Sequence, residues 1–196
     1  MFLDPACGSG NFLTETYISL RRLENRVLKE LLGAQIVLGA LENPIKVSIS
    51  QFYGIEINDF AVTVAKTALW IAESQMMKET EDIVNMNLDF LPLKTNAYIT
   101  EANALRIDWE TVVPKAKLNY IMGNPPFVGY SLQSKEQKAD MLAIYVDEKG
   151  KPYKTAGKID YVAGWYFKAA QLMHNTAVRT AFVSTNSITQ NSASSY

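Results

Sequence analysis

The sequence predicts an α/β fold with a doubly wound, mostly parallel sheet of the Rossmann-like type. Short apolar segments of strand length alternate with longer segments whose apolar residues recur at helical spacing, through five strands. A glycine-rich turn follows the first strand and polar residues follow the later ones, as in sheets that bind ligands at the carboxyl ends of their strands. At 196 residues, 48% of them hydrophobic, the chain can form one domain with a sizeable core.

The first predicted unit is a strand, a glycine-rich turn and a helix. The strand ends at Asp4, the turn covers residues 5–10, and the helix is predicted over residues 12–31. Gly8 and Gly10 let the backbone approach a ligand closely, and the N–H groups at the helix start favour a negatively charged group. The carboxylate of Asp4 beside this turn suits a ligand that carries both an ammonium and a carboxylate group.

The second strand is predicted over residues 51–57 and the following helix over residues 60–78. Before them, residues 35–50 contain an Asn-Pro turn and are interpreted as an insertion. Glu56 lies at the tip of the second strand, where Rossmann-type folds place an acid that accepts hydrogen bonds from both ribose hydroxyls of a nucleotide. The alternative is a solvent-exposed acid at the end of a strand.

A third strand is predicted over residues 98–105, running into a loop that contains Asn103. This side chain either accepts a hydrogen bond from an adenine amino group or has a structural role, and both interpretations are open. The later elements are a short helix over residues 135–145, an aromatic-rich helix over 160–173 and a fifth strand over 179–186. The lysine-rich residues 149–158 are interpreted first as a solvated surface loop and second as a loop over a polyanion.

The fourth strand, residues 118–122, leads into the most distinctive motif, NPPF at residues 124–127. Two adjacent prolines have no N–H groups for a sheet, so the chain must leave the sheet here in a stiff turn. The turn presents the carboxamide of Asn124, free carbonyl groups and the ring of Phe127. This set suits binding of the exocyclic amine of a base or of a primary amide. The alternative is a structural turn with Phe127 in the core.

Composition argues against several other kinds of site. A net charge of −1 lacks the basic footprint of a protein that binds DNA tightly by itself. The single cysteine, Cys7, rules out an internal disulfide and is expected to pack as a small residue, and no metal-ligand spacing is present. The single histidine, His174, rules out a histidine-based zinc site or triad. Without a signal peptide or an apolar run long enough for a membrane helix, a cytoplasmic protein with no membrane partner is expected.

Five segments in this order resemble successive motifs of amino-group DNA methyltransferases that use S-adenosyl-L-methionine (SAM). They are DPACGSGNFL, GIEIN, NAL, NPPF and FVSTNSITQ. The segments GIEINDFAVTVAKTALW and NPPFVG resemble the catalytic domain of MmeI-like type II methyltransferase–endonuclease fusions of the adenine-N6 type. The resemblance covers nearly the whole chain. It implies a class I SAM-dependent methyltransferase that methylates a flipped adenine in double-stranded DNA, within a restriction-modification or related defence system of a bacterial or archaeal cell.

The same resemblance assigns roles to residues by position. The implied SAM-binding residues are Asp4, Pro5, Ala6, Gly8, Gly10, Asn11, Phe12, Glu56, Ile57, Asn103, Ala104 and Asn124. The implied catalytic residues are Asn124, Pro125, Pro126 and Phe127. Gly8 and Gly10 would wrap the methionine part of SAM with Asp4 near its ammonium, while Glu56 would hold the ribose and Ile57 the adenine. Asn124 and the Pro125 carbonyl would accept hydrogen bonds from the target amine, and Phe127 would stack on the flipped base.

The sequence also departs from the family. Position 103 is Asn where the family often has Asp, and Cys7 is not at the position after the fourth strand that cytosine-C5 chemistry needs. A helix before the first strand, a terminal strand pair, a recognition domain and a nuclease motif are absent, so residues 1–196 are interpreted as an incomplete SAM-binding and catalytic domain whose DNA-recognition region lies elsewhere. The alternatives are methylation of cytosine N4, an RNA base or a glutamine amide, or an inactive SAM-binding fragment.

Overall fold

The computed structural model describes residues 1–33, 45–84 and 96–186, and it confirms the predicted α/β class. The strands are β1 (Phe2–Asp4), β2 (Phe52–Glu56), β3 (Tyr98–Glu101), β4 (Tyr120–Gly123) and β5 (Arg179–Phe182). The helices are α1 (Asn11–Gly33), α2 (Asp59–Val84), α3 (Lys135–Ile144) and α4 (Ala163–Met173). The strands form one parallel sheet in the order β3-β2-β1-β4-β5.

The strand order places a topological switch point beside β1. Following the sequence, the chain adds β2 and β3 on one side of β1 and then returns to add β4 and β5 on the other side. Parallel sheets of this kind bind ligands where the order reverses, beyond the carboxyl ends of the strands. Asp4, Glu56 and Gly123 are the last residues of the three strands that meet there.

Helices cover both faces of the sheet, which explains why the strands are short and apolar. On one face, α1 and α2 pack around Leu13, Tyr17 and Phe52. On the other face, α4 and the segment after β3 pack around Trp109 and Trp165. Tyr161 and Trp165 are buried in this second cluster, whereas Tyr166 and Phe167 are half-buried. Cys7 is also buried, as predicted.

Two strands end earlier than the sequence pattern predicts. The third strand stops at Glu101 because the side-chain oxygen of Asn103 accepts from the N–H of Leu105, at 2.9 Å, and turns the chain. The fifth strand stops at Phe182. Its last partner in the sheet is Gly123 of β4, whose carbonyl accepts a hydrogen bond from the N–H of Val183 at 2.9 Å. The prolines that follow β4 have no N–H groups, so they cannot extend the pairing with β5.

Other boundaries differ from the predictions by only a few residues, except that α2 continues to Val84 rather than to residue 78. The predicted Asn-Pro turn at residues 43–44 and the chain end from residue 187 lie outside the described residues. No helix in the described ranges has the length and apolar character needed to cross a membrane. Within the same ranges, no group of three or more His, Cys, Asp and Glu side chains is arranged to hold a metal ion.

Candidate functional site

A cavity of about 450 Å³ opens at the carboxyl ends of the strands, at the switch point. Its volume falls in the range of about 300–1,000 Å³ that small-molecule sites occupy. Of the predicted site residues, those that line it are Pro5, Ala6, Glu56, Ile57, Asn103, Ala104, Asn124 and Pro126. The structure therefore brings the predicted ribose, adenine and target-amine residues to one cavity. Asn11 and Phe12 instead line a shallow groove along α1.

The carboxyl group of Asp4 lies beneath the start of the NPPF turn. Its Oδ1 accepts from the N–H of Ala6 at 3.0 Å, and the residue is almost fully buried. A side chain at Gly123 would collide with Asp4 Oδ1, and its Cβ would lie 3.0 Å from Asp4 Cγ. The end of β4 can approach this carboxyl group so closely only because residue 123 is glycine.

The pKa of Asp4 is raised to about 7, chiefly by burial; the hydrogen bond from the Ala6 N–H opposes the change, and the neighbouring Glu56 carboxylate adds to it. A carboxyl group that titrates near neutral pH in a folded protein is common at functional sites. Protonation of Asp4 would remove the negative charge that the sequence analysis assigned to pairing with an ammonium group.

The pKa of Asp4 predicts a pH-dependent stability. Between the ordinary carboxyl value of 3.8 and about 7, the folded protein binds more protons at Asp4 than the unfolded chain does, so its stability falls as pH rises through this window. Asp4→Asn keeps an oxygen for the Ala6 N–H and removes the titration. We expect the free energy of unfolding of this variant, relative to the natural protein, to rise by up to about 4 kcal/mol between pH 4 and pH 8.

Urea denaturation of both proteins across that pH range checks this prediction. Acids that do not interact with Asp4 contribute equally to both curves and cancel in the difference. A constant difference between the natural protein and the variant would contradict the raised pKa of Asp4.

The glycine-rich turn is held by hydrogen bonds to the second strand. The N–H of Cys7 donates to the Ile55 carbonyl at 3.1 Å, and the N–H of Gly8 donates to Glu56 Oε2 at 2.9 Å. Gly8 has φ +53°, and a Cβ there would meet no atom within 4 Å, so the outer side of the turn is open. Gly10 has φ +84°, and its Cβ would lie 3.0 Å from that of Ala65 in α2. The glycine at position 8 thus lies on a side of the turn with free space around it, and the glycine at position 10 lets α2 pack closely against the turn.

The carboxylate of Glu56 already accepts three backbone hydrogen bonds. Its Oε2 binds the Gly8 N–H, while its Oε1 accepts from the N–H groups of Ile57 and Asn58, each at 2.9 Å. A carboxylate offers about four acceptor positions, so Glu56 retains roughly one, on Oε2. Accepting from both ribose hydroxyls would need more acceptor positions than Glu56 retains in this arrangement, and its contact with a ribose stays a prediction. Beside it, the Ile57 side chain is 67% exposed and offers an apolar surface.

The side chain of Asn103 is committed to protein contacts. Its oxygen binds the Leu105 N–H, and its Nδ2 donates to Asp140 Oδ2 at 3.0 Å. Asn103 nevertheless lines the cavity, together with Ala104. These contacts favour the structural interpretation of the Asn103 side chain, and its main-chain carbonyl is also occupied, accepting from the N–H groups of Arg106 and Ile107 at 3.0 Å each.

The NPPF turn presents its carboxamide to solvent at the cavity. Asn124 is exposed, and no hydrogen bond joins its side chain to another of the residues that the structure describes. Pro125 is buried and Pro126 is exposed, while the ring of Phe127 is 44% exposed and lies outside the cavity lining. The exposed ring does not support the interpretation of Phe127 as a core residue.

Several residues of the cavity lining were missed by the sequence analysis. Three of them are Asp140 in α3, Tyr161 just before α4 and Trp165 in α4. Asp140 Oδ2 accepts from the Tyr161 hydroxyl at 2.8 Å as well as from Asn103, and its Oδ1 accepts from Arg106 Nε at 2.5 Å. Burial, and then the bond to Asp140, raise the pKa of Tyr161 above its ordinary value, so its hydroxyl remains a donor. Trp165 Nε1 donates to the Pro5 carbonyl at 2.9 Å and ties α4 to the glycine-rich turn.

Comparison with known proteins identifies the family. Residues 1–195 match the family model described as MmeI, DNA-methyltransferase domain. DNA methyltransferase A of Bacillus subtilis (strain 168) is 47% identical over 192 residues, which make up 96% of this chain and 21% of that protein. A solved structure of the Type IIL restriction-modification enzyme MmeI in complex with DNA matches with 44% identity and a TM-score of 0.87, over 97% of this chain and 25% of that chain.

These matches confirm the resemblance and the fold that the sequence predicted. The chain spans only 21% and 25% of the two relatives, so their names describe much longer proteins. Since the family model covers residues 1–195, the chain belongs to the MmeI DNA-methyltransferase domain family.

Proposed function

We propose that this chain transfers a methyl group from SAM to the exocyclic N6 amine of an adenine flipped out of double-stranded DNA. One observation carries the proposal. The unpaired carboxamide of Asn124 lines the same cavity as Glu56 and Ile57, so a nucleotide-type site and an acceptor for an amine adjoin each other. Family membership and a relative solved in complex with DNA support this reading.

The residues present fit SAM as the methyl donor. Glu56 has one acceptor position left for a ribose hydroxyl, and the exposed side chain of Ile57 offers an apolar surface for the adenine ring. The open outer side of Gly8 leaves room for the amino-acid part, and the ionised form of Asp4 would attract its ammonium. When bound, SAM supplies an electrophilic methyl group that needs no metal and no further activation.

The chain itself supplies position rather than strong acid–base chemistry. The Asn124 oxygen and the Pro125 carbonyl would accept hydrogen bonds from the two N–H groups of the target amine. This arrangement favours a more tetrahedral geometry at the amine nitrogen as it attacks the methyl group. Asn124 is neutral and is not a strong base, so the proton would leave to water after transfer. Because a base within a duplex cannot reach this turn, the target must leave the base stack.

The ring of Phe127 is proposed to stack on the extruded base. We expect Phe127→Ala to weaken binding of target DNA by about 1–3 kcal/mol, the value of one base–aromatic stack, with little change in SAM affinity. Fluorescence anisotropy with a labelled target duplex measures the first quantity and calorimetry the second.

The matched control is Tyr98→Ala. Tyr98 is 42% exposed, similar to Phe127 at 44%, but lies on the edge strand β3. DNA affinity should be unchanged in this control. Equal DNA affinities of the natural protein and Phe127→Ala would remove Phe127 from the site.

The proposed reaction is tested with SAM labelled in its methyl group. Duplex DNA, RNA and protein are offered side by side, and the modified nucleoside is identified by mass spectrometry. We expect N6-methyladenine in duplex DNA. N4-methylcytosine, labelled RNA or a labelled glutamine would each replace the proposed substrate with one of its alternatives. SAM binding by calorimetry without transfer would indicate a SAM-binding fragment that is inactive alone, and absence of binding would overturn the proposal.

The biological setting follows from the relatives. MmeI is described as a restriction-modification enzyme, and we infer a similar defence role in the cytoplasm of a bacterial or archaeal cell. Residues 1–196 would be the SAM-binding and catalytic domain, with sequence recognition provided by another region of a longer protein. No membrane partner is part of this proposal, and the proposed chemistry assigns no metal to this domain.

A further inference from the structure

The lysine-rich segment folds as an ordered hairpin, residues 146–158, which we name the basic hairpin. Val146 and Pro152 form an antiparallel bridge across it. The Oδ1 of Asp147 accepts from two backbone N–H groups of the turn, at 2.9 Å each. A hairpin fixed in this way can present side chains in a defined arrangement, unlike the irregular loop that the sequence suggests.

The base of the basic hairpin is anchored in the protein. The N–H of Tyr153 donates to the Tyr145 carbonyl at the end of α3, at 2.9 Å, and Ala156 is fully buried. Residues 148–155 are exposed; they include Lys149, Lys151 and Lys154. The carboxylate of Asp147 is occupied by backbone donors, and the ion pairs found among the described residues, Arg21–Glu24 and Arg106–Asp140, include none of these lysines.

The basic hairpin concentrates positive charge on a protein that is otherwise acidic. Residues 146–158 contain four of the chain's 19 Lys and Arg residues and two of its 20 Asp and Glu residues, Asp147 and Glu148, so the hairpin carries two positive charges in excess. Tyr153 lies among these lysines with 51% of its surface exposed. Lysines interspersed with an aromatic residue match the chemistry of a nucleic-acid backbone, on which Lys acts as a mobile point charge.

Hydrogen bonds connect the segment after the basic hairpin to the segment after the NPPF turn. The N–H of Tyr161 donates to the Val128 carbonyl at 2.9 Å, and Gln133 Nε2 donates to the Ile159 carbonyl at 2.8 Å. The 3₁₀ turns at residues 130–132 and 156–158 are also in contact. The base of the basic hairpin is therefore held beside the segment that follows the NPPF turn.

We propose that the basic hairpin binds the phosphate backbone of duplex DNA next to the extruded base. This inference rests on the proposed function, since it requires a DNA substrate at the NPPF turn. Phosphate contacts fix the position of a duplex without reading its sequence. A local cluster of this kind explains how a domain with a net charge of −1 can hold a polyanion at its catalytic edge.

The test removes charge at the basic hairpin and at matched positions. One triple variant carries Lys149→Gln, Lys151→Gln and Lys154→Gln, and the control carries Lys29→Gln, Lys78→Gln and Lys117→Gln. The control lysines are also exposed, but they lie late in α1 and α2 and before β4, towards the opposite edge of the sheet. Affinities for cognate and non-cognate duplexes are measured against salt concentration by anisotropy, with each protein at its full natural length.

We expect the hairpin triple to lose about three units from the slope of log affinity against log salt, roughly one for each phosphate contact. Both duplexes should lose affinity equally, whereas SAM affinity and the rate at saturating DNA should change less than about twofold. The control triple should keep the natural slope. An unchanged slope in the hairpin triple, or equal losses in both triples, would overturn the proposal.

The same experiment separates this inference from the proposed function. If the natural protein methylates duplex DNA and the hairpin triple variant keeps the natural salt slope, only the inference about the basic hairpin is overturned. If the natural protein transfers no methyl group to DNA, but the hairpin triple variant loses salt-dependent DNA binding, only the proposed reaction is overturned. Salt-dependent binding of RNA in place of duplex DNA would overturn both.

Discussion

Asn124→Ala is expected to lower the rate of methyl transfer by roughly 100-fold or more, the cost of losing one preorganised polar group at a reacting centre. The structure supports so large an effect because the carboxamide is exposed at the cavity and unbonded to other described residues. Its loss therefore removes no side-chain hydrogen bond to the part of the chain that the structure describes. SAM affinity should stay nearly unchanged, because the residues proposed for the ribose and adenine lie on other strands.

Single-turnover methylation of duplex DNA measures this loss, and calorimetry measures SAM affinity. Gln171→Ala is the matched control, since Gln171 is an exposed carboxamide near the far end of α4. Turnover of Asn124→Ala equal to that of the control would remove Asn124 from the catalytic site. If Asn124→Ala lost thermal stability as well as turnover, the side chain would instead have a structural role.

The parts of the site that follow directly from local sequence could be predicted. The NPPF turn had to leave the sheet because its prolines have no N–H, and the structure ends β4 at Gly123, immediately before it. Glu56 was likewise predicted at the tip of a strand, because a short apolar segment before it gives way to apolar residues at helical spacing after it. The structure ends β2 at Glu56. In both cases a few neighbouring residues determine the outcome.

The parts that depend on distant partners could not be predicted. The contact of Gly8 with Glu56 spans 48 positions, so the loss of acceptor capacity at Glu56 is invisible in the sequence. The end of β5 is set by the prolines of its neighbour rather than by its own residues. Asp140 looks like an ordinary polar residue of a short helix, and only the fold reveals that it is buried against Asn103 and Tyr161.

The sequence signal for Asp140 is its placement between two apolar residues of α3, Ala139 and Met141. That signal indicates a position near the buried side of the helix but not a partner. A buried carboxylate nevertheless requires hydrogen-bond donors, and the fold supplies them from the loop after β3 and from the segment just before α4.

Asp140→Ala is therefore expected to destabilise the protein by about 2–6 kcal/mol, because two donors lose their acceptor, at about 1–3 kcal/mol each. The donors are Asn103 Nδ2 and the buried hydroxyl of Tyr161. Arg106 should contribute little, since its side chain is 57% exposed and water can replace the carboxylate. The loop of Asn103 and the helix α3 form cavity walls, so SAM affinity should fall as well. Urea denaturation and calorimetry measure the two effects.

Two comparisons make the role of Asp140 specific. Tyr161→Phe removes one hydrogen bond and keeps the ring packed, so it should cost about 1 kcal/mol, the net worth of a typical hydrogen bond. Asp82→Ala removes an exposed carboxylate from α2 and should change stability by less than about 0.5 kcal/mol. If Asp140→Ala matched Asp82→Ala, the buried carboxylate would not hold the cavity wall. If stability fell while SAM affinity did not, Asp140 would support the fold but not the site.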